Sequence, residues 1–327
     1  MTTLSIIICT YNGTHHIRRC LDSILRQSFT DFEILCVDGM SKDDTQAIIN
    51  EYASKDKRIK LLINLQRLPE GEGNGKWLGY HASTGNVIGF IDQDNELQDK
   101  TLFQSVINLF LSPLSSSFIG VLGGQTHRLL DPPVVRYVAL FGTDSFFAYR
   151  SLDFIRHLTS PDTLTIKEFP FQRFTLTKEH MLLTGGNCFF YSRKDLESIG
   201  GYTQDVLVVQ DLLHFNKTSV VVIPDATKHY AEKNLYTLAK KKFFWGRNYH
   251  SSTALSRQFN YFPQNSVSLK AFIKNLLFNI FIIPNFIITY RMYHFSRDPV
   301  CFFFPLLAFF NTIAYGATFL AAKITRR

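Results

Sequence analysis

The chain has 327 residues and a formal net charge of +8, long enough to bury one large core or two smaller ones. The charge is uneven: residues 1–227 hold 21 Lys/Arg against 25 Asp/Glu, whereas residues 228–327 hold 14 against Glu232 and Asp298 alone. That excludes a uniformly basic nucleic-acid binder and directs the basic tail toward an anionic partner such as phosphate groups or a membrane surface.

The opening residues MTTLSIIICTYNG lack a basic start, and their apolar run is too short for a signal peptide, so Leu4–Cys9 is predicted as a first strand. Ile17, Leu21, Ile24 and Leu25 then mark one face of a helix. Phe32–Val37 is a second strand, Asp43–Tyr52 a helix with acids in its first turn, and Ile59–Ile63 a third strand. After the glycine-rich stretch GEGNG (71–75), a helix carrying Trp77, Leu78 and His81 leads to strands at Val87–Ile91 and Phe118–Leu122. This alternation predicts an α/β fold, a mainly parallel sheet flanked by helices, whose ligands sit at the carboxyl ends of the strands. Asp38 and the run Asp92-Gln93-Asp94 fall at two such ends. An isolated Asp-x-Asp is ordinarily a turn. The five cysteines (Cys9, Cys20, Cys36, Cys188, Cys301) have neither a C-x-x-C pair nor metal-ligand spacing, which fits reduced thiols in a cytosolic compartment.

Residues 125–180, rich in Phe, Pro and Tyr, read as an irregular substrate-facing insertion. TGGNCFFYSRKDLESIGGY (184–202) predicts a strand and then a helix. QDVLVVQDLLHF (204–215) predicts a helix with Asp211 beside Leu207 and Phe215, Val220–Ile223 a strand, and residues 235–249 a basic helix. Val300–Ala322 runs uncharged to Lys323, about long enough to cross a bilayer core; the shorter run Asn275–Tyr290 is interrupted by Asn279, Pro284 and Asn285. The two segments read as a membrane hairpin with its basic flanks on the cytoplasmic side, as a hairpin lying in the interface, or as a buried core pair.

LSIIICTYNG, FEILCVDGMSKDDT, the glycine-rich stretch, VIGFIDQDN, the 184–202 segment, Gln210-Asp211 and KHYAEKNLYTLAKKKFFWGRNY occur in the order of the family 2 glycosyltransferases, over roughly residues 4 to 250. The chain resembles the membrane-associated members of that family. The resemblance implies a GT-A-like catalytic domain over residues 1–250 and a C-terminal hydrophobic helical membrane segment over 251–327. It also implies inverting transfer of a sugar from a nucleotide-sugar donor, UDP-linked, to a lipid-linked saccharide or polyprenyl phosphate. A divalent Mn²⁺ or Mg²⁺ ion would bridge the donor diphosphate, with Asp92, Asp94 and His229 as its ligands, Asp92 also contacting donor ribose. Thr10, Tyr11, Asn12 and Asp38 would line the nucleobase pocket; Lys76 and Arg247 would approach the diphosphate; Asp211 would be the general base. Two positions depart from the family pattern: Gln210 stands where the family has Glu, and Asn95 where many relatives carry a further Asp. Alternatives are a polyprenyl-phosphate sugar synthase and a catalytically silent membrane adaptor of the same fold.

Overall fold

The computed structural model describes residues 3–66, 73–128, 130–141, 162–166, 169–176, 187–202, 205–215, 217–230, 236–237, 240, 243, 277 and 279–325. The predicted basic helix at 235–249 lies largely outside the described residues. The chain forms two compact units, Met1–Thr126 with Ser160–Tyr230, and His127–Thr159 with Ala231–Arg327.

In the first unit the order is β1 (Leu4–Thr10), α1 (Ile17–Leu25), β2 (Phe32–Asp38), α2 (Thr45–Lys55), β3 (Ile59–Ile63), α3 (Gly75–Ala82), β4 (Val87–Phe90), β5 (Asn95–Leu97), α4 (Leu102–Leu111) and β6 (Phe118–Gln125). The second unit contributes α5 (Pro133–Phe141). The first then resumes with β7 (Asp162–Ile166), β8 (Phe169–Thr175), β9 (Phe189–Ser192), α6 (Arg193–Ser198), α7 (Asp205–His214) and β10 (Ser219–His229). The strands make one sheet in the order β3-β2-β1-β4-β9-β6-β10-β8-β7, with β5 pairing β10.

The apolar runs explain the layers. Strands buried on both faces need continuous apolar sequence, and β1 and β2 supply it. Leu4, Ile6, Ile8, Ile34 and Cys36 enter one core with Ile17, Leu21 and Ile24 of α1, Ile48 of α2 and Phe103 of α4. The alternate residues Ile7, Leu35 and Val37 enter the other, with Tyr80 of α3, Leu196 of α6 and Val208, Val209 and Leu212 of α7. Each such fully buried Ile or Leu contributes about 1.5–3 kcal/mol.

The sheet is mixed rather than mainly parallel. β3, β2, β1 and β4 run parallel, but β9 enters antiparallel between β4 and β6. The expected irregular insertion also contains ordered strands, the antiparallel pair β7 and β8, added to the sheet through β10. Pro170 pairs with Thr165 beyond the residues of β8 that meet β10, so its missing N–H removes no bond to β10.

At the amino end of the parallel half, Glu33 ties three strands and a loop together. Its carboxylate accepts from Ser5 Oγ (2.8 Å), Thr84 N and Oγ1 (both 2.7 Å) and Lys60 Nζ (2.9 Å). Burial opposes ionisation, but the Lys60, Thr84 and Ser5 hydrogen bonds outweigh it and hold the carboxyl at about 2, against an ordinary 4.5. A depressed folded value stabilises above the ordinary carboxylate range and stops doing so as pH falls toward 2. Urea melts from about pH 6 down to about pH 3 should therefore lose on the order of 1–2 kcal/mol, allowing for solvent screening, that Glu33→Gln does not lose.

The second unit holds α5, α8 (Ile282–Ser296), a 3₁₀ turn (Pro299–Phe303) and α9 (Phe304–Thr325). Val134, Tyr137, Ile288, Met292, Val300, Cys301, Phe304, Leu307 and Ala308 form its buried cluster. Arg297 turns the chain in the left-handed region (φ 55°), and Asp298 then caps the 3₁₀ turn through Val300 N (2.8 Å) and pairs with Arg136. No helix among the described residues is long and apolar enough to cross a membrane, which removes the support for a span at Val300–Ala322. The start of that run is a 3₁₀ turn, its helix is diluted by Pro305, Asn311, Thr312, Gly316 and Thr318, and one of its faces lies in the buried cluster.

Candidate functional site

The first unit gathers its acids at the carboxyl end of β4. Ile7 pairs with Phe90, so the chain leaves the sheet at Asp92 next to the end of β1. It folds back at once: Asn95 N donates to Asp92 O (3.0 Å), and β5 pairs antiparallel with β10, Asn95 opposite His229. That register brings His229 Nε2 to 3.1 Å from Asp94 Oδ2, across 135 residues of sequence. Asp92, Asp94 and His229 each offer a ligand atom within 4.8 Å of the others. Two carboxylates and one imidazole suit a Mn²⁺ or Mg²⁺ ion that keeps further positions for phosphate or water oxygens.

Burial and neighbouring charges pull on Asp92 in opposite senses. Burial pushes its carboxyl up; Lys76 works against that, Asp94 adds to it, His229 opposes and Asp205 adds again. The Lys76 ammonium, from the first turn of α3, is held by Asp205 Oδ1 and Oδ2 (3.1 and 2.9 Å) at the start of α7. Burial would lower the lysine, but Asp205, Asp92 and Cys9 raise it, so it stays charged. Tyr202 also donates its hydroxyl to Asp205. Gly75 lets α3 pack this close: a Cβ there would stand 2.8 Å from Cys9 Sγ.

At the neighbouring strand end, the pairing of Thr10 with Asp38 sets a hydrogen bond from Thr10 Oγ1 to Asp38 Oδ2 (2.8 Å). The buried Asp38 also accepts from Ser41 N (2.8 Å), Ser41 Oγ (2.5 Å) and Gln46 Nε2 (2.7 Å). Both of its oxygens are thus engaged inside the protein. Tyr11 is exposed, and Asn12, at φ 47°, fixes the same loop through Ser41 Oγ and Lys42 N. Gln93 clips this loop to the Asp92–Asp94 turn, accepting from Tyr11 N and donating to Tyr11 O (both 3.1 Å). Gly13 makes room for it, since a Cβ there would meet Gln93 Oε1 at 2.1 Å.

Asp211 lies six residues beyond Asp205 on α7, about 9 Å further along the axis and about 120° around it. Burial raises its carboxyl, and the neighbouring His214 acts in the opposite sense. Arg247 lies outside the described residues. The structure therefore brings Asp92, Asp94, His229 and Lys76 together, sets Thr10, Tyr11, Asn12 and Asp38 on one loop system beside them, and leaves Asp211 on a separate face of α7. Sequence reasoning missed Asp205, Gln93, Gln46 and Asn187, which bonds the side chain of Asn95. No spacing signal marks any of the four.

The family model for glycosyl transferase family 2 matches residues 5–200. The chain belongs to this family. Among its curated relatives, GalNAc(5)-diNAcBac-PP-undecaprenol beta-1,3-glucosyltransferase of Campylobacter jejuni is 34% identical over 97 residues, 30% of this chain and 31% of that one. The uncharacterized glycosyltransferase EpsJ of Bacillus subtilis is 35% identical over 92 residues, 28% of this chain and 26% of that one. The chain thus spans about a third or less of the length of these two relatives. The mannosyltransferase PcManGT from Pyrobaculum calidifontis, solved with GDP-Man and Mn²⁺, superposes with a TM-score of 0.55 at 13% identity, over 96% of this chain and 86% of that one. At that identity the likeness shows the fold alone: a GT-A-like mixed sheet with helices, as family 2 membership leads one to expect.

Proposed function

We propose that this chain is a metal-dependent inverting glycosyltransferase. It moves a sugar from a nucleoside-diphosphate donor, UDP-linked, to a lipid-linked saccharide or polyprenyl phosphate at the cytoplasmic face of a membrane. The observation that carries this reading is the convergence of Asp92, Asp94 and His229 at the carboxyl end of β4 in a family 2 chain. The undecaprenol diphosphate in the name of the Campylobacter relative supports the acceptor class. The GDP-Man and Mn²⁺ held by the Pyrobaculum enzyme support the donor and ion classes.

Asp92, Asp94 and His229 would hold the ion, which when bound neutralises the charge growing on the leaving diphosphate. Lys76, poised between Asp205 and Asp92, donates to a diphosphate oxygen. Thr10, Tyr11, Asn12 and Asp38 line the nucleobase pocket, Asp38 also bonding its own loop. Asp211 takes the proton of the acceptor hydroxyl as that oxygen attacks the anomeric carbon and the nucleoside diphosphate leaves. Arg247 belongs to the same proposal as a second diphosphate contact. Residues 1–250 would supply the catalytic machinery and residues 251–327 the membrane-facing part.

The test is to supply a panel of labelled nucleotide sugars with Mn²⁺ and a membrane lipid extract. One donor should label a lipid-extractable product; release of labelled free sugar with none in lipid would defeat the acceptor assignment. Within the reading, Asp205 positions Lys76 rather than meeting substrate. Asp205→Asn should raise the donor KM about tenfold, the worth of one charge-assisted hydrogen bond, and leave the pH dependence of kcat unchanged. An unchanged donor KM would take Asp205 out of donor binding.

A further inference from the structure

We propose that the α8–α9 hairpin lies flat on an anionic phospholipid bilayer, its outward apolar side chains seated at the headgroup–acyl boundary. Both helices are apolar on two sides. Ile288, Met292, Phe304, Leu307 and Ala308 fill the buried cluster of the second unit. Ile287 and Tyr290 on α8 are 62% and 68% exposed. Phe302 is exposed too, and on α9 the exposed Leu306, Phe310 and Ile313, at steps of four and three residues, trace one helical face. A soluble surface rarely carries aligned Phe and Ile on this scale without a partner.

Charge selects the partner. From residue 233 to 327 Asp298 is the lone acid of the sequence, and it is buried and engaged by Arg136 and His127. Arg291, His294 and Arg297 are exposed on the same hairpin. This segment therefore presents cations and apolar side chains with no carboxylate, the composition of a helix bound at an anionic lipid surface. A contact between two copies of this face would bring cations together with no exposed acid of the segment to pair them. A crossing hairpin is disfavoured because no described helix is long and apolar enough for one. The inference extends the membrane part of the proposed function but stands on separate observations, so vesicle binding and sugar transfer succeed or fail independently.

Flotation of the full chain with phosphatidylglycerol–phosphatidylcholine vesicles tests it. The protein should float with these vesicles at low salt, much less with phosphatidylcholine alone, and detach as salt rises. Ile287→Asp with Phe310→Asp should cut partitioning by at least about tenfold, and Arg291→Gln and Arg297→Gln by about fivefold each. These side chains are exposed, so Tm should hold; if the Asp pair lowers it, Ile287→Ser with Phe310→Ser serves in its place. Wild-type protein that stays at the bottom with anionic vesicles would overturn the proposal, as would a folded variant that floats like wild type. A concentration-dependent dimer dissolved by the same substitutions would assign the face to self-association instead.

Discussion

Asp94→Ala should lower kcat/KM for sugar transfer by at least about 10³-fold, with the thermal midpoint of the metal-free protein nearly unchanged. The carboxylate is partly exposed at the turn, 3.1 Å from His229 Nε2. Its removal leaves Asp92 and His229, one carboxylate and one imidazole, against a diphosphate carrying several negative charges. Asp94→Asn keeps the shape and loses the charge, and should fall almost as far. Raising Mn²⁺ should restore part of the loss in Asp94→Asn and less in Asp94→Ala. A residual rate within tenfold of wild type in both variants would mean that Asp94 does not serve the leaving group.

Asp211→Asn should lower kcat by about 10²- to 10⁴-fold and leave the donor KM within a few-fold, the opposite split to Asp205→Asn. A general base works as the carboxylate, so the rate falls as pH drops below its folded value. Burial raises that value above the ordinary 3.8 of an aspartate. The acid limb of the kcat profile should therefore begin at a higher pH than a solvated Asp would give, and should vanish in Asp211→Asn. Gln210, its neighbour in the sequence, is neutral and adds no charge of its own. An unchanged acid limb in the variant would move the proton-accepting role to another group. Asp205, already within the electrostatic reach of Asp92, would be the next to test.

The parallel half of the sheet was legible because its strands are short apolar runs separated by helix-period segments with acids at the exits. Asp92 and Asp94 could be read for the same reason. β9 was legible as a strand but not in its direction: alternation of strand and helix implies parallel crossovers, and only its neighbours β4 and β6 decide that it runs the other way. β7 and β8 were hidden by the Phe- and Pro-rich composition around them. His229 joins Asp94 through the antiparallel register of β5 with β10, a long-range pairing that local spacing cannot encode; the family resemblance supplied it. Asp205 and Gln93 act through contacts made only when α7 meets α3 and the Asp92 turn meets the β1 loop. At the C-terminus, hydropathy summed along the run could not tell one apolar helix face in a core from another facing outward.

The most direct measurement is a Mn²⁺ titration followed by electron paramagnetic resonance, with and without UDP, on wild type and Asp94→Ala. One ion should bind per wild-type chain, more tightly when the nucleotide is present, with no stoichiometric site in the variant. Equal Mn²⁺ binding by the two proteins, or nucleotide affinity indifferent to the ion, would contradict the metal assignment.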